Sequence, residues 1–427
     1  MSYRDVDGVR VKVRELFGRD DAQNHVRMIG GERGYARSIR RSTLPHILTY
    51  REMIECDPYH RPVRVALSLL PRLIYRWLTD GAGQGNALIS GLLRGCLDQG
   101  CELALRTCAT RLILEDGVVR GVQVVERDTV RQLRARLGVL LATGGYEWDD
   151  AMLAEHFPGP VGYLGSPSTN TGDGQRMAAE AGARLERMDQ ANVYPSMPIQ
   201  YEGTVHALPI ALQSEPNAIV VNGEGKRFAS EYAFNMGEAL DLRGADGYPV
   251  NLPAWLIGDR RFIRSVPVLR HYAGKAEGWL HSAATIAELA RLLQIPPHAL
   301  AETVARYNGF CEAGTDDDFG RGSTTWERYK SGATDRLKNP ALGTIERAPF
   351  YAVPIYRSIL GTKGGARTDE TGRVLHRSGG VIGGLYCAGL AMANPIGTRA
   401  VGAGTTLGPN MTWGYIVAET LLESAAP

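Results

Sequence analysis

The chain has 427 residues, which is enough for two or three domains and a large core without metal or disulfide staples. Hydrophobic residues make up 44% and charged residues 22%, and this excludes a disordered chain, a coiled coil and a collagen-like fibre. With 48 basic and 46 acidic residues the net charge is +2, so there is no electrostatic case for a nucleic-acid partner. Glycine is in excess, at 51 residues, which favours backbone that turns tightly or closely approaches a ligand.

The N-terminal segment is charged throughout and lacks the apolar centre of a signal peptide. No apolar run is long enough to cross a bilayer, so we expect no transmembrane segment. The segment from Pro62 to Trp77 predicts an amphipathic helix, either with solvated arginines or lying in a membrane interface. The six cysteines are scattered and match no zinc spacing, so we expect no metal site and a reducing, cytoplasmic location.

Short-range patterns then predict an α/β layer up to about residue 189. The signals are helical periodicity, a hairpin turn and an apolar run that is typical of a strand buried on both faces. In chain order the predicted elements are a helix at 85–100, strands at 101–114 and 118–125 joined by Glu115-Asp116-Gly117, a strand at 137–142, and helices from about Asp149 and at 175–183.

The pattern changes between residues 190 and 340 and becomes glycine-rich again after Pro349. We therefore expect a discontinuous Rossmann-like nucleotide-binding domain at 1–189 and 359–427, with an inserted α+β cap at 190–358. The later predicted elements are a strand at 218–222 with the turn Gly223-Glu224-Gly225, helices at 283–293 and 297–312, an exposed acidic loop at Asp316–Asp318, and a final helix at about 406–422.

Three glycine-rich segments are suited to binding a ligand. Ala142-Thr143-Gly144-Gly145 follows the apolar strand, where open α/β sheets bind ligands, although a plain strand-to-loop turn is the alternative. Gly361-Thr362-Lys363-Gly364-Gly365 offers bare backbone to a flat ligand. A strand ends at Gly389, and Gly404-Thr405-Thr406-Leu407 opens the final helix. The N–H groups of that helix start would bind an anion or an electron-rich ring edge such as that of a reduced flavin.

In this order the motifs resemble the family of FAD-dependent fumarate reductase and succinate dehydrogenase flavoproteins and 3-ketosteroid Δ1-dehydrogenases. Asn170-Thr171-Gly172-Asp173-Gly174 is similar to the family's NTGDG segment, and Gly225-Lys226-Arg227-Phe228 to its strand turn. The ending from Gly402 to Tyr415 is most similar to the ketosteroid dehydrogenase branch. The resemblance implies an oxidoreductase that moves a hydride between FAD and a carbon β to a carbonyl. The implied flavin-binding residues are Ala142, Thr143, Gly144, Gly145, Gly364, Gly365, Gly389, Gly404, Thr405, Thr406 and Leu407.

One departure from the family concerns the phosphate-binding unit. The family begins with a strand, Gly-x-Gly-x-x-Gly and a helix, whereas residues 29–34 have glycines but no preceding apolar strand. We therefore expect the N-terminal βαβ unit to be missing. Three interpretations stay open: an FAD-dependent enzyme, a truncated chain or pseudoenzyme that binds no flavin alone, and one half of a split enzyme whose partner chain supplies the unit.

The other departure concerns catalysis. The family's tyrosine and its arginine proton donor fall on Ala400 and Asn235 of this chain, and its substrate histidine falls on Gly361. The resemblance therefore leaves the substrate chemistry open. It favours a small apolar carbonyl substrate, ketosteroid-like or another cyclic enone, with an unknown electron acceptor or donor.

Other side chains must then supply a proton and polarise the carbonyl. The catalytic candidates are Arg399, Tyr356 and Tyr232, with Glu231, His206 and His281 as weaker ones, and a structural role is the alternative for each of them.

Overall fold

The computed structural model describes residues 3–6, 9–12, 52, 56, 60–78, 85–201, 204–209, 212–267, 278–330, 338–398 and 404–425. The helices are α1 (Pro62–Ser68), α2 (Leu70–Leu78), α3 (Gly85–Asp98), α4 (Asp150–His156), α5 (Asp173–Glu180), α6 (Met236–Leu240), α7 (Arg260–Ser265), α8 (Ile286–Leu292), α9 (Pro297–Ala313), α10 (Thr325–Lys330) and α11 (Leu407–Ala425). The strands are β1 (Tyr3–Val6), β2 (Val9–Lys12), β3 (Thr107–Glu115), β4 (Val118–Glu126), β5 (Thr129–Arg134), β6 (Val139–Leu141), β7 (Leu185–Glu186), β8 (Ala191–Tyr194), β9 (Ser196–Tyr201), β10 (Thr204–Pro209), β11 (Ala218–Asn222), β12 (Ala254–Asp259), β13 (His281–Ala283), β14 (Phe350–Ile355), β15 (Ser358–Thr362), β16 (Gly365–Ala366), β17 (Arg373–Leu375) and β18 (Val381–Cys387).

A six-stranded sheet joins two distant parts of the chain. Its order is β17-β18-β4-β3, with β5 paired to β4 and β6 paired to β18. Strands β6 and β18 are parallel, with Leu141 opposite Cys387. Because parallel strands end at the same edge of a sheet, the loops after Leu141 and Cys387 emerge together. Helix α5 packs on this sheet through Met177 and Ala178.

A four-stranded antiparallel sheet, in the order β11-β12-β14-β13, forms the centre of the cap. Along β11 the side chains alternate between two cores, as the two-residue period of a strand requires. Ala218 and Val220 pack with residues of α6 and α7, whereas Ile219 and Val221 pack with residues of α8 and α9. The strand is therefore buried on both faces.

Strands β8 and β15 connect the two sheets. They pair antiparallel, with Tyr194 opposite Ser358 and Ala191 opposite Thr362. Hydroxyls of Ser196 and Ser358, both buried, lie 2.6 Å apart at one end of the pair. The predicted domain limits at 189/190 and 358/359 fall beside and within this pair, and they stay a prediction.

Several local predictions are confirmed. The turn between β3 and β4 has Asp116 at φ 52° and Gly117 at φ 77°, as the hairpin signal predicts. Helix α4 begins after Asp149, whose carboxylate accepts from the Met152 N–H at 2.8 Å. Helices α8 and α9 lie at the predicted places, and α11 begins one residue after the predicted start.

Three predictions are wrong in their detail. Strand β6 is not buried on both faces, because the Leu140 side chain is 39% exposed. Among the described residues this strand pairs only with β18. The helix predicted from Pro62 is two helices that break at Leu69. The acidic loop is not exposed at Asp316, which is buried and forms an ion pair with Arg227. None of the described helices has both the length and the apolar composition for crossing a membrane.

Candidate functional site

The buried amide of Gln175 lies where the glycine-rich segments meet. Its Nε2 lies 3.2 Å from the carbonyl oxygen of Gly144, 3.4 Å from that of Gly364 and 3.2 Å from that of Leu390. Gly144 lies after β6, Gly364 after β15 and Leu390 after β18. The first turn of α5 therefore positions one donor against all three segments.

A carboxylate joins two of the same segments. Glu147 is fully buried, and its Oε2 accepts from the Thr362 N–H at 3.1 Å and from the Thr362 hydroxyl at 2.9 Å. Its Oε1 accepts from Asn170 Nδ2 at 2.7 Å. The backbone N–H of Tyr146 donates to the Thr362 hydroxyl at 3.0 Å. This network fixes the loop after β6 against the end of β15.

The segment after β15 is packed so closely that a side chain has no room. A Cβ added at Gly365 would lie 2.0 Å from the Ala391 carbonyl oxygen, and Ala366 forms a parallel bridge to Met392. By contrast, a Cβ added at Gly389 or Gly404 would meet no described atom within 4 Å. At these two glycines no described atom fills the place of a side chain, and Gly404 lines the cavity described next.

A cavity of about 740 Å³ lies between the cap and the start of α11. From the cap, β8 and α6 contribute Asn192, Tyr194 and Glu238 to its wall. From the other side, the whole of the predicted segment Gly404–Leu407 lines it. Asn192 Nδ2 donates to the Thr406 hydroxyl at 3.4 Å, so the two walls are in contact at one point. The cavity is therefore wide enough for a ring system and has a helix N-terminus in its wall.

The predicted catalytic residues have different positions. Arg399 lies outside the described residues, directly after Thr398, which lines the cavity. Tyr356 lies outside the cavity lining and packs edge-to-face on Tyr163, with ring centroids 4.8 Å apart. Tyr232 is also outside the lining, and its ring stacks with the guanidinium of Arg321 at 5.6 Å. The structure therefore places neither Tyr356 nor Tyr232 in the lining of the cavity.

Glu231 is part of the structural framework of the cap. It is fully buried, and Arg227 Nη2 donates to it at 2.8 Å while Arg321 Nη1 lies 3.0 Å away. Its other carboxylate oxygen accepts from the Val220 N–H at 3.0 Å. These partners occupy both carboxylate oxygens, which favours the structural alternative for Glu231.

The two histidine candidates also pack against aromatic rings. His206 is buried, with its ring centroid 5.0 Å from that of Trp148. His281 stands edge-to-face with Trp255 at 5.4 Å. Neither histidine lines the cavity. These contacts favour the structural alternative for both.

Sequence reasoning missed Gln175 and Glu147. Each lies next to a quoted motif, because Glu147 comes two residues after Gly145 and Gln175 directly after Gly174. A polar residue that follows a glycine-rich ligand loop is a usable signal. However, the partner of Glu147 is 215 residues away, and that distance hid the contact.

The sequence pattern of the FAD binding domain family matches residues 14–407. This chain is a member of that family. The match begins well before Gly85, where the motif resemblance starts, and it confirms both the resemblance and the predicted α/β fold. It also identifies FAD as the cofactor. Residues 29–34 lie outside the described residues, so the missing βαβ unit stays a prediction.

Two curated relatives and one solved structure illustrate the similarity. A 3-oxosteroid 1-dehydrogenase from Mycolicibacterium smegmatis is 37% identical over 371 residues, covering 81% of this chain and 63% of the relative. A 4-oxocyclohexanecarboxylate 2-dehydrogenase from Sinomonas cyclohexanicum is 35% identical, covering 80% of this chain and 62% of the relative. The crystal structure of a 3-ketosteroid Δ1-dehydrogenase from Sterolibacterium denitrificans with 1,4-androstadiene-3,17-dione has a TM-score of 0.74 at 32% identity, covering 83% of this chain and 68% of that one. The chain thus spans a little under two thirds of the length of the two curated relatives.

The residues present fit a flavin. Gly389 and Gly404 face open space, and the start of a 19-residue helix lies in the cavity wall. Bare backbone and a positive helix end are the features that an electron-rich ring edge requires.

Proposed function

We propose that this protein uses FAD to transfer a hydride to or from a carbon β to a carbonyl, in a cyclic and mainly apolar ketone. Three findings support the proposal: membership of the FAD binding domain family, the two dehydrogenase relatives that act on ring ketones, and a cavity wide enough for a ring. FAD, when bound, supplies the hydride acceptor or donor. The protein binds, orients and polarises the substrate.

We assign the flavin to the edge where β6, β15 and β18 end. Ala142, Thr143, Gly144 and Gly145 would contact it from the first loop, and Gly364, Gly365 and Gly389 from the other two. The backbone N–H groups of Thr405, Thr406 and Leu407 would face the ring edge that gains electron density on reduction. The observation that carries this assignment is the convergence of the three segments on Gln175.

The substrate would occupy the cavity beside the start of α11. Its wall combines apolar side chains, such as Val193, Phe234 and Leu242, with the amides of Asn192 and Asn235. The apolar groups suit a hydrocarbon ring, and an amide N–H can polarise a carbonyl oxygen. Arg399 follows this wall directly and remains our candidate proton donor. For Tyr356 and Tyr232 a catalytic role rests on sequence alone.

Two measurements on the purified full chain test this function. The first is a visible absorption spectrum before and after FAD is added and the excess is removed. The second is turnover of a 3-ketosteroid and of 4-oxocyclohexanecarboxylate with an artificial electron acceptor. We expect retained yellow flavin and acceptor reduction with at least one of these ketones.

A colourless protein without turnover would contradict the proposal for the isolated chain. A colourless chain that gains flavin and activity on adding a small dinucleotide-binding protein would instead support the split-enzyme alternative. Flavin retention without turnover of any ring ketone would leave cofactor binding intact and overturn the substrate class.

A further inference from the structure

A second, smaller cavity of about 330 Å³ opens beside the larger one. Glu238 and Thr398 line both cavities, so the two spaces adjoin each other. A molecule whose ring occupies the larger space can therefore extend a substituent into the smaller one. The lining of the smaller cavity consists of Arg187, Gln190, Glu238, Ile396, Gly397 and Thr398.

Arg187 supplies a cation to this smaller cavity. Its guanidinium rests on the backbone of Gly397, where an added Cβ would lie 2.5 Å from Arg187 Nη1. Gly397 thus makes room for the arginine. Among the described residues, the Arg187 guanidinium has neither an ion pair nor a hydrogen bond. A partly buried cation without a partner leaves its donors available to a ligand.

Lys363 and Gln190 add donors around the same loop. The Lys363 side chain is buried, and its Nζ donates to the carbonyl oxygen of Gly397. Burial and the nearby charge of Arg187 lower the pKa of Lys363. Gln190 also lines the smaller cavity, and its Oε1 atom is buried without a partner among the described residues.

Charged side chains of both signs surround the two cavities. Two carboxylates, Glu238 and Asp241, line them. Two cations, Arg187 and Arg243, line them as well, and two more contact the walls from outside the lining, namely Lys363 at Gly397 and Arg357 at Asp241. Since Arg243 and Arg357 share Asp241, Arg187 is the lining cation that can attract an anionic ligand.

We propose that the substrate is a ring ketone that bears a carboxylate, and that Arg187 binds this carboxylate in the smaller cavity. This inference rests on the proposed function, since it places the ketone ring in the larger cavity. An arginine fork matches the two oxygens of a carboxylate, and such charge-assisted bonds are stronger than neutral ones. Arg187 is then a specificity-determining residue.

The test compares 4-oxocyclohexanecarboxylate with its methyl ester, which has the same ring without the charge. We expect the wild-type chain to prefer the acid. Arg187→Gln should lower kcat/KM for the acid by about 10- to 100-fold, mainly through KM, and change that for the ester by less than about twofold. Arg187→Lys keeps the charge and should recover part of the loss. Arg184→Gln, an exposed arginine paired with Glu186, is the matched control.

A binding measurement keeps this test independent of turnover. Calorimetry with 4-oxocyclohexanecarboxylate and with the ester measures their affinities directly. Arg187→Gln should weaken binding of the acid and leave binding of the ester nearly unchanged, with or without FAD. Equal losses for acid and ester would overturn the inference. The inference would also be overturned if Arg187→Gln failed to take up FAD but bound the acid as tightly as the wild type, because Arg187 would then bind the cofactor phosphates. If the protein turned over only neutral ketones, the carboxylate-binding role of Arg187 would be rejected, whereas the proposed function would still hold.

Discussion

Gln175 shows how one side chain can hold a binding site together. Its amide lies against the carbonyl groups of Gly144, Gly364 and Leu390, which belong to three separate segments. The Gly364 carbonyl is buried and those of Gly144 and Leu390 are partly buried, so the Gln175 amide replaces water that only partly reaches them. The side chain therefore stabilises the site before any ligand is bound.

We expect Gln175→Leu to destabilise the protein by about 2 kcal/mol, because leucine keeps the volume and leaves one buried and two partly buried acceptors without this donor. FAD affinity should fall as well, since the loops that would hold the flavin lose their common anchor. Urea unfolding and FAD titration measure the two effects. Gln132→Leu, on the exposed strand β5, is the control and should change stability by less than about 0.5 kcal/mol. Equal stability of both variants would contradict this role for Gln175.

Gly365 is required by a close approach of backbone. A Cβ there would lie 2.0 Å from the Ala391 carbonyl oxygen, so Gly365→Ala must displace the loop after β18. We expect a loss of about 3 kcal/mol or more and failure to retain FAD. Gly414→Ala is the matched control, because its Cβ meets open space in the middle of α11. That variant should gain about 0.5–1 kcal/mol. A Gly365→Ala protein with the wild-type unfolding midpoint and flavin content would refute the packing argument.

At the scale of elements, the sequence predicts what is decided locally. The Asp116-Gly117 turn and the helix start at Asp149 depend on neighbouring residues, and both are where the sequence places them. Burial depends on the rest of the chain. Leu140 lies in an apolar run but is exposed, and Asp316 lies in a polar loop but is buried against Arg227. The contacts of Gln175 and Glu147 could not be predicted for the same reason.

The buried ion pairs of the cap predict its behaviour in acid. Burial raises the pKa of Asp316, but the hydrogen bonds and charge of Arg227 outweigh that effect, so the pKa of Asp316 is lowered in the folded state. A lowered folded-state pKa means that the stabilisation is complete above the unfolded pKa of about 3.9 and is lost as the pH falls through the folded pKa.

We therefore expect the wild-type unfolding free energy to fall as the pH is lowered through the unfolded pKa of about 3.9 and below it, and the fall to be smaller in Asp316→Asn. At pH 7 the same variant should be about 3 kcal/mol less stable, because Arg227 loses one of its two buried carboxylate partners. Urea titrations across this pH range measure both effects. Asp318→Asn breaks only the more exposed pair with Arg306 and should cost less than about 1 kcal/mol. An identical pH profile for wild type and Asp316→Asn would show that the Arg227 pair does not carry the acid sensitivity.

At the scale of the whole molecule, the cap and the six-stranded sheet are joined where the proposed substrate sits. Arg357 lies at this junction and is fully buried. Its Nε donates to Asp241 at 2.8 Å, and its Nη1 donates to the carbonyl groups of Pro158 and Pro160 at 3.1 and 3.3 Å. The guanidinium also lies 3.8 Å from the centre of the Phe157 ring. One arginine thus connects the end of α6, the end of α4 and the start of β15.

We expect Arg357→Met to lower stability by about 3–5 kcal/mol, because it leaves Asp241 and two carbonyl groups without their buried donor. The cap should also be cleaved faster by a protease at low enzyme concentration, since its main polar tie to α4 is gone. The double variant Arg357→Met with Asp241→Asn should be less destabilised than the sum of the single variants, because the carboxylate that loses its buried partner is then absent. Arg243→Met removes the less buried partner of Asp241 and should cost about 1 kcal/mol. Additive effects in the double variant would mean that Arg357 acts through Phe157 and the two proline carbonyl groups rather than through Asp241.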